Sequence, residues 1–237
     1  MIPAIFIPGL LCTGALFDGQ RAGLGGQVEI SIGDITQADS IAEMARTILD
    51  EAPDRFVLLG FSIGGVVALE IMRRASERVR GLILVDTSAR ADALWQAALS
   101  AAFLRIAEFA GLDWTIRKST PQLLYKDRQT DKAMTGKILG MAQALGLDVL
   151  RRQRSALASR DDYRSGLAAI TCPGLVIAGR NDPLATPKLA RELAAGIPGA
   201  GIEIIPRCGH YSVLERPDEV NAVVSKFVAE MIRRESA

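Results

Sequence analysis

Phe56-Val57-Leu58-Leu59-Gly60-Phe61-Ser62-Ile63-Gly64-Gly65-Val66-Val67-Ala68-Leu69 is an apolar stretch carrying a single hydroxyl. Its opening run, Phe56 to Leu59, is apolar without alternation, as expected of a strand covered on both faces. After Gly65 the apolar residues continue at helical spacing. The pattern is that of a buried strand, a sharp turn and a buried helix, with Ser62 at the tip. Residues 60–64 read G-x-S-x-G, in which a strained strand-to-helix turn lifts the serine Oγ clear of the sheet. Gly60 and Gly64 fit because side chains two residues either side of the bend would collide as strand and helix close. The N–H groups that begin the helix suit a developing negative charge. The same letters also fit a plain strand-to-helix turn. The rest of the chain must therefore supply what a reactive serine needs.

Composition sets the outer bounds. The chain has 237 residues, 49% of them hydrophobic, enough for one α/β domain with a substantial core. Lys plus Arg number 28 against 27 Asp plus Glu, a balance that suggests neither nucleic acid nor an anionic membrane as partner. Cys12, Cys172 and Cys208 are odd in number, widely spaced and without a metal pattern, so they read as free thiols in a reducing compartment. The apolar N-terminus, with Gly9-Leu10-Leu11-Cys12, lacks the leading positive charge and the small residues of a secretory cleavage site. It reads as a first core strand. Other uncharged stretches are too interrupted to span a bilayer, and a cytoplasmic protein is expected.

Short β-rich runs alternate with helical patterns, the signature of a parallel sheet with crossover helices. Strands are expected near Ala4–Ile7, Val28–Ile32, Arg55–Leu59, Gly81–Val85, Leu175–Ala178 and Ile202–Ile205. Helices are expected near Ser40–Glu51, Ser62–Ala75, Pro187–Ala195 and Pro217–Arg234, the last two with proline at the first helical position. From Arg90 to about Gly166 only helical patterning occurs, beginning with an apolar stripe of Leu94, Trp95, Ala98, Leu99, Ala102, Phe103, Ile106 and Phe109. Further helices are expected around 121–124, 131–145 and 148–159. The expected organisation is a core of residues 1–89 and 167–237 with a helical insertion, 90–166, over the carboxyl ends of the strands.

A serine alcohol is a poor nucleophile until a neighbouring base takes its proton. The chain contains one histidine, His210, placed after the last expected strand and before the last helix. Asp182, in Gly179-Arg180-Asn181-Asp182-Pro183, follows the preceding strand and can hold the tautomer of that histidine. The order Ser62, Asp182, His210 is that of the α/β-hydrolase triad. With Pro8-Gly9-Leu10-Leu11 after the first strand, Val85-Asp86-Thr87-Ser88-Ala89-Arg90 before the insertion and Cys208-Gly209-His210, the chain resembles the α/β-hydrolase superfamily. The resemblance is to its capped single-domain branch of small esterases, enol-lactonases, haloperoxidase-like enzymes and vitamin-pathway hydrolases.

The resemblance implies an α/β-hydrolase fold of about six mostly parallel strands, without the N-terminal hairpin common in the family. It also implies an oxyanion hole from the backbone N–H groups of Leu10 and Ile63. Pro8-Gly9 stands where the family usually has His-Gly, a change that bears on loop geometry. Asp86 is a rival acid, with Asp182 preferred and Asp86 read as a polar cap at the start of the insertion. Trp95, Leu99, Phe103, Trp114, Tyr125, Met134, Ile138 and Met141 are candidate walls of an apolar substrate pocket. Burial of an amphipathic face against the sheet explains most of them equally. Arg151, Arg152, Arg154, Arg160 and Arg164 could orient an anionic substrate, although a solvated helix face is the preferred reading. No cofactor or metal motif occurs. The expected activity is hydrolysis of a small-molecule ester, thioester or lactone through an acyl-enzyme on Ser62. The alternatives are a lyase or synthase using the same triad, or a ligand-binding protein. Oligomeric state is not legible.

Overall fold

A computed structural model describes residues Met1–Glu235; the side chain of Leu94 also lies outside the described residues. Six strands, β1 (Ile2–Ile7), β2 (Val28–Ile32), β3 (Phe56–Phe61), β4 (Val79–Val85), β5 (Gly174–Gly179) and β6 (Gly201–Ile205), form one sheet in the order β2-β1-β3-β4-β5-β6. Every neighbouring pair is parallel. The strands fall where the sequence places them, to within two residues at their ends.

Alternate residues of the strands feed two separate cores. Phe6, Val57, Leu59, Phe61, Ile83, Val85 and Ile177 face one side, where α1 (Asp18–Leu24) and α9 (Pro217–Glu235) contribute Leu24, Val220, Val224, Val228 and Met231. Ile5, Ile7, Leu58, Leu82, Leu84 and Val176 face the other, against α2 (Ile41–Glu51), α3 (Ile63–Ala75) and α7 (Pro187–Gly196). All six residues of β3 are buried, which is why that strand reads as an unbroken apolar run. Each fully buried Leu, Ile or Phe contributes about 1.5–3 kcal/mol relative to an exposed one. Together they make β3 the rigid centre from which Ser62 emerges.

The chain runs from β1 to the β2 edge and then returns to place β3 on the other side of β1. The crevice outside the carboxyl ends of β1 and β3 is thus the reversal point at which open α/β sheets take ligands. Both the loop after β1 and Ser62 open into that crevice.

Between β4 and β5 lie only helices: α4 (Leu94–Ala110), α5 (Leu112–Leu123), α6 (Lys132–Ala158) and short 3-10 turns. Pro121 lies inside α5 and does not start a helix. The two helices expected over 131–145 and 148–159 are both present within α6, separated at Gly146, whose φ of 77° and ψ of −178° are non-helical and tolerated by glycine. A one-turn helix, α8 (Ser212–Glu215), precedes α9.

The stripe expected along α4 does not all turn inward. Ala107 is buried and Phe103 and Leu104 pack on the core, whereas Trp95 is 65% exposed, Leu99 61% and Phe109 97%. Alanines and apolar residues occupy nearly the whole circumference of α4, with Arg105 and Glu108 its only charged residues. Periodicity therefore had no polar face by which to choose the buried one.

Candidate active site

The tight turn at Ser62 follows from its neighbours. Ser62 has φ 55° and ψ −120°, a conformation that costs a non-glycine residue roughly 1–3 kcal/mol. Its backbone is clamped on both sides: the Ser62 N–H donates to the Val85 carbonyl at 3.0 Å, and the Thr87 hydroxyl donates to the Ser62 carbonyl at 2.8 Å. A Cβ on Gly60 would run into the Gly64 carbonyl, and one on Gly64 into the Ile7 carbonyl. Only glycine lets α3 close this tightly on β3 and β1. Ile63 and Gly64 are the first residues of α3, so their N–H groups have no carbonyl one turn back to bond.

His210 comes from the β6–α8 loop. Its Nε2 lies 3.1 Å from Ser62 Oγ and its Nδ1 lies 2.8 Å from Asp182 Oδ2. A carboxylate only accepts, so Nδ1 carries the hydrogen and Nε2 is left as an acceptor facing the serine. Asp182 Oδ1 accepts from the Leu184 N–H at 2.7 Å and the Ala185 N–H at 3.0 Å, which fixes the carboxylate plane. His210 is only 5% exposed and Asp182 3%, with the Phe61 and Tyr211 rings packed on the imidazole. Burial opposes the charged imidazolium. The Asp182 charge, its hydrogen bond, and the charges of Asp86 and Glu215 outweigh that burial and hold His210 above its ordinary value of 6.5.

Two further buried carboxylates brace this loop. Asp86, 1% exposed, is no cap for the helical segment. Its Oδ1 accepts from the Gly179 N–H at 2.9 Å and its Oδ2 from the Ser212 N–H at 3.0 Å, tying β4 to the Asp182 and His210 loops. Its backbone, at φ 47°, aims the side chain sideways into the loops. Burial and the neighbouring Asp182 charge push its carboxyl up to about 7. Glu215 accepts from the Gly209 N–H at 2.9 Å and the Tyr125 N–H at 2.8 Å, and burial raises its pKa. The His210 N–H donates to the Leu123 carbonyl at 2.7 Å, so the end of α5 is bonded directly to the histidine loop.

The loop after β1 is held from α6. The Leu11 N–H donates to Gln153 Oε1 at 2.8 Å, and Gln153 Nε2 donates to the Ile35 carbonyl at 3.2 Å. Leu11 sits at φ 52°, and Gln153 is fully buried. A Cβ on Gly9 would meet the Phe61 ring at 2.7 Å and stand 3.5 Å from Ser62 Cβ, so this loop lies directly on the serine turn. The Leu11 N–H is committed to Gln153; Leu10 is the adjacent residue on the serine side. In Gln153→Leu both the Leu11 N–H and the Ile35 carbonyl are left buried and unpaired. The variant should lose about 1–3 kcal/mol of stability in urea denaturation; an unchanged midpoint would contradict the clamp.

Of the proposed pocket residues, Ile138 and Met141 are buried, and Phe103 and Met134 are partly buried against the same core. The Tyr125 backbone lies against Gly209 of the histidine loop. Trp95, Leu99 and Trp114 (50% exposed) face solvent and do not share that cluster. Among the arginines, Arg151 pairs with Glu108 and Asp148, Arg152 donates to the Thr36 carbonyl, Arg160 pairs with Asp92, and Arg164 pairs with Asp162. Arg152 and Arg154 are both part-buried without a carboxylate in contact among the described residues; Arg154 donates to the Ser100 hydroxyl and stands over the Phe103 ring. Cys12 and Cys208 are buried and unpaired, and burial raises both thiols, Cys12 to about 12. Among the described residues no His/Cys/Asp/Glu group could hold a metal, and no helix is long and apolar enough to cross a membrane.

The profile of the alpha/beta hydrolase family matches residues 15–223, a span that includes Ser62, Asp182 and His210. The chain belongs to the alpha/beta hydrolase family. This α/β-hydrolase is 31% identical over 212 residues to a pimeloyl-[acyl-carrier protein] methyl ester esterase of Yersinia enterocolitica, covering 80% of this chain and 76% of that one. It is 27% identical over 202 residues to the protein of the same name from Nitrosomonas europaea, covering 76% and 74%. In fold it resembles a thermophilic esterase from Thermogutta terrifontis, with a TM-score of 0.87 at 22% identity over 98% of this chain and 90% of that one. An enol-lactonase from Burkholderia xenovorans superposes with a TM-score of 0.86 at 21% identity, covering 97% and 92%. The family span begins after the Leu10 loop, so the Gln153 clamp on that loop is read from this α/β-hydrolase's own geometry.

Proposed function

We propose that this α/β-hydrolase cleaves a carboxylic ester by a two-step acyl transfer through Ser62. The observation that carries the reading is the unbroken row from Ser62 Oγ through His210 to Asp182, at 3.1 and 2.8 Å. His210 Nε2 takes the Ser62 proton as Oγ attacks the carbonyl carbon. The Ile63 and Leu10 N–H groups receive the carbonyl oxygen as it becomes negative; each such donor contributes roughly 2.7–4 kcal/mol to the barrier reduction. His210 returns its proton to the departing alcohol, which leaves the acyl group on Ser62. Water, deprotonated by His210, then attacks the ester carbonyl and releases the acid. Asp182 keeps Nδ1 protonated throughout and stabilises the transient imidazolium.

The methyl ester esterase relatives support an ester as the scissile group; the acyl part is open. We further propose that residues 90–166 act as a cap. Their contacts with the site through Leu123, Tyr125 and Gln153 support a role in positioning it. A cytoplasmic setting fits the three free thiols. p-Nitrophenyl esters of graded chain length test the reaction: a burst of nitrophenol equal to the enzyme concentration is expected where deacylation is slow. Absence of any acyl-enzyme together with intact ester would overturn it.

The base must be neutral, and His210 is held above 6.5. Protonation therefore removes activity as pH falls, and kcat/KM should decline with a midpoint above pH 6.5. The Asp86 carboxyl, pushed up to about 7, lies beside it, so the acid limb reports Asp86 and His210 together and not His210 alone. A rate flat from pH 5 to 8 in the chemical step would count against the assignment.

A further inference from the structure

Helix α4 carries a second apolar face, turned away from the core and open to solvent. Trp95, Ala98, Leu99, Ala102, Ile106 and Phe109 recur at the spacing of one helix face, and all six are exposed. Phe103, Leu104 and Ala107 lie on the opposite side and pack on the core. The helix rests chiefly on α5 and α6, so its far side is the outer surface of the helical segment. At roughly 200 Å² for a whole aromatic side chain, Trp95 and Phe109 alone leave about 300 Å² in water. With Leu99, Ile106 and the alanines the face reaches on the order of 600 Å², the upper end of what a soluble monomer leaves open. That area is close to the roughly 800 Å² that each partner of a specific interface contributes.

The face is complementary to itself. A two-fold axis through Ala102 lays a second α4 antiparallel on the first, setting Ala102 against Ala102 and Ala98 against Ile106. Trp95 then meets Phe109 of the other copy at both ends of the contact, so each bulky ring has an aromatic partner. The small residues at the centre let the two helix axes approach to the short end of about 8–10 Å. Arg105 brings the only charge into the face, at its edge. Under the same axis it lies beside Leu99 and one turn from Trp95 of the other copy, where its stem covers apolar surface and its guanidinium meets a ring. Glu108, the other charge on α4, is held by Arg151 on α6. A helix lying on a lipid surface instead carries a row of lysines and arginines along its polar face, which α4 lacks.

We propose that the outward face of α4 is a homodimer interface, on which a second copy of this chain docks antiparallel about a two-fold axis at Ala102. The inference is independent of the reaction at Ser62. It gives the exposed Trp95 and Leu99 a partner that the substrate pocket does not supply. Through α5 and the Leu123 and Tyr125 bonds to the histidine loop, the pairing also braces the helical segment from outside.

Sedimentation velocity of the full chain, from micromolar to near-millimolar concentration, is the test. The wild type should sediment as a dimer in equilibrium with monomer. Ala102→Glu and Ala102→Lys each set like charges against one another on the axis and should weaken association at least about a hundredfold. An equimolar mixture of the two should regain the dimer, since opposite charges then meet; only a second copy of the same face produces that rescue, and it shows that both variants are folded. Phe109→Ser, at the ends of the contact, should weaken the dimer without adding charge. A wild type that is monomeric throughout, a dimer indifferent to both charge variants, or a mixture that stays monomeric would overturn the proposal. Flotation of a monomeric wild type with phosphatidylcholine–phosphatidylglycerol vesicles, lost in Phe109→Ser, would overturn it as well and give the face to a lipid surface.

Discussion

Ser62→Ala is expected to lower kcat/KM on an activated ester by roughly 10⁴- to 10⁶-fold, leaving a residue of catalysis from the oxyanion donors and binding. The loss should fall on kcat, because the hydroxyl acts in the bond-forming step and contributes little to holding the ground state. Stability should not fall with it. Ser62 sits at φ 55° with its backbone clamped to Val85 and Thr87, and those bonds involve main-chain atoms that alanine retains. Ser62→Gly should be inactive as well and more stable than Ser62→Ala, since glycine adopts a positive φ without the cost borne by a residue with a Cβ. Thermal unfolding of the two variants beside their kinetics separates these effects. Equal stability of Ser62→Ala and Ser62→Gly would mean that the turn stores no strain.

Asp182→Asn should cost about 10⁴-fold in kcat with little change in fold. The reason lies in what already surrounds the carboxylate. Oδ1 receives the Leu184 and Ala185 N–H groups at 2.7 and 3.0 Å, so the amide oxygen of the variant takes that position and the NH₂ is turned toward His210 Nδ1. Nδ1 must then accept, which moves the ring hydrogen to Nε2, where it points at Ser62 Oγ and blocks proton removal. The same change removes the largest influence raising the His210 pKa. Burial is then opposed only by the weaker influences of Asp86 and Glu215, so the acid limb should shift to lower pH while the plateau falls. Asp86→Asn is the control: it tests whether the second buried carboxylate is a brace, with a loss far smaller than that of Asp182→Asn. Equal losses from the two would make Asp86 the working acid.

Much of this was legible in the chain because it depends on local pattern. Continuous apolar runs marked strands buried on both faces, and G-x-S-x-G between a strand and a helix marked the turn. A single histidine left one choice of base. The parts that were not legible depend on distant partners or on crowding. Gln153 bonds Leu11 across 142 residues and Ile35 across 118, and within Arg151-Arg152-Gln153-Arg154 it looks like one more polar residue on a solvated face. Asp86 reaches Gly179 and Ser212 at separations of 93 and 126. Helix α1 carries glycines at 19 and 23, poor for a helix, and forms because α9 closes on it: the Asn221 side chain donates to the Gly19 carbonyl at 2.9 Å, and a Cβ on Gly23 would strike the Asn221 amide. On α4 the opposite difficulty holds. Its surface is apolar nearly all round, so the exposed Trp95 and Leu99 were indistinguishable from the inward Phe103 until the packing was known.

The claim on which the account turns is that Ser62 is a nucleophile activated by His210. A fluorophosphonate reacts irreversibly only with a serine activated in that way, and the tryptic peptide spanning residues 56–73 contains Ser62 as its only serine. Mass spectrometry of the labelled protein should find the phosphonyl adduct on that peptide in the wild type and lose it in His210→Gln. An unmodified 56–73 peptide after prolonged exposure of the folded wild type, or labelling that persists without the imidazole, would contradict it.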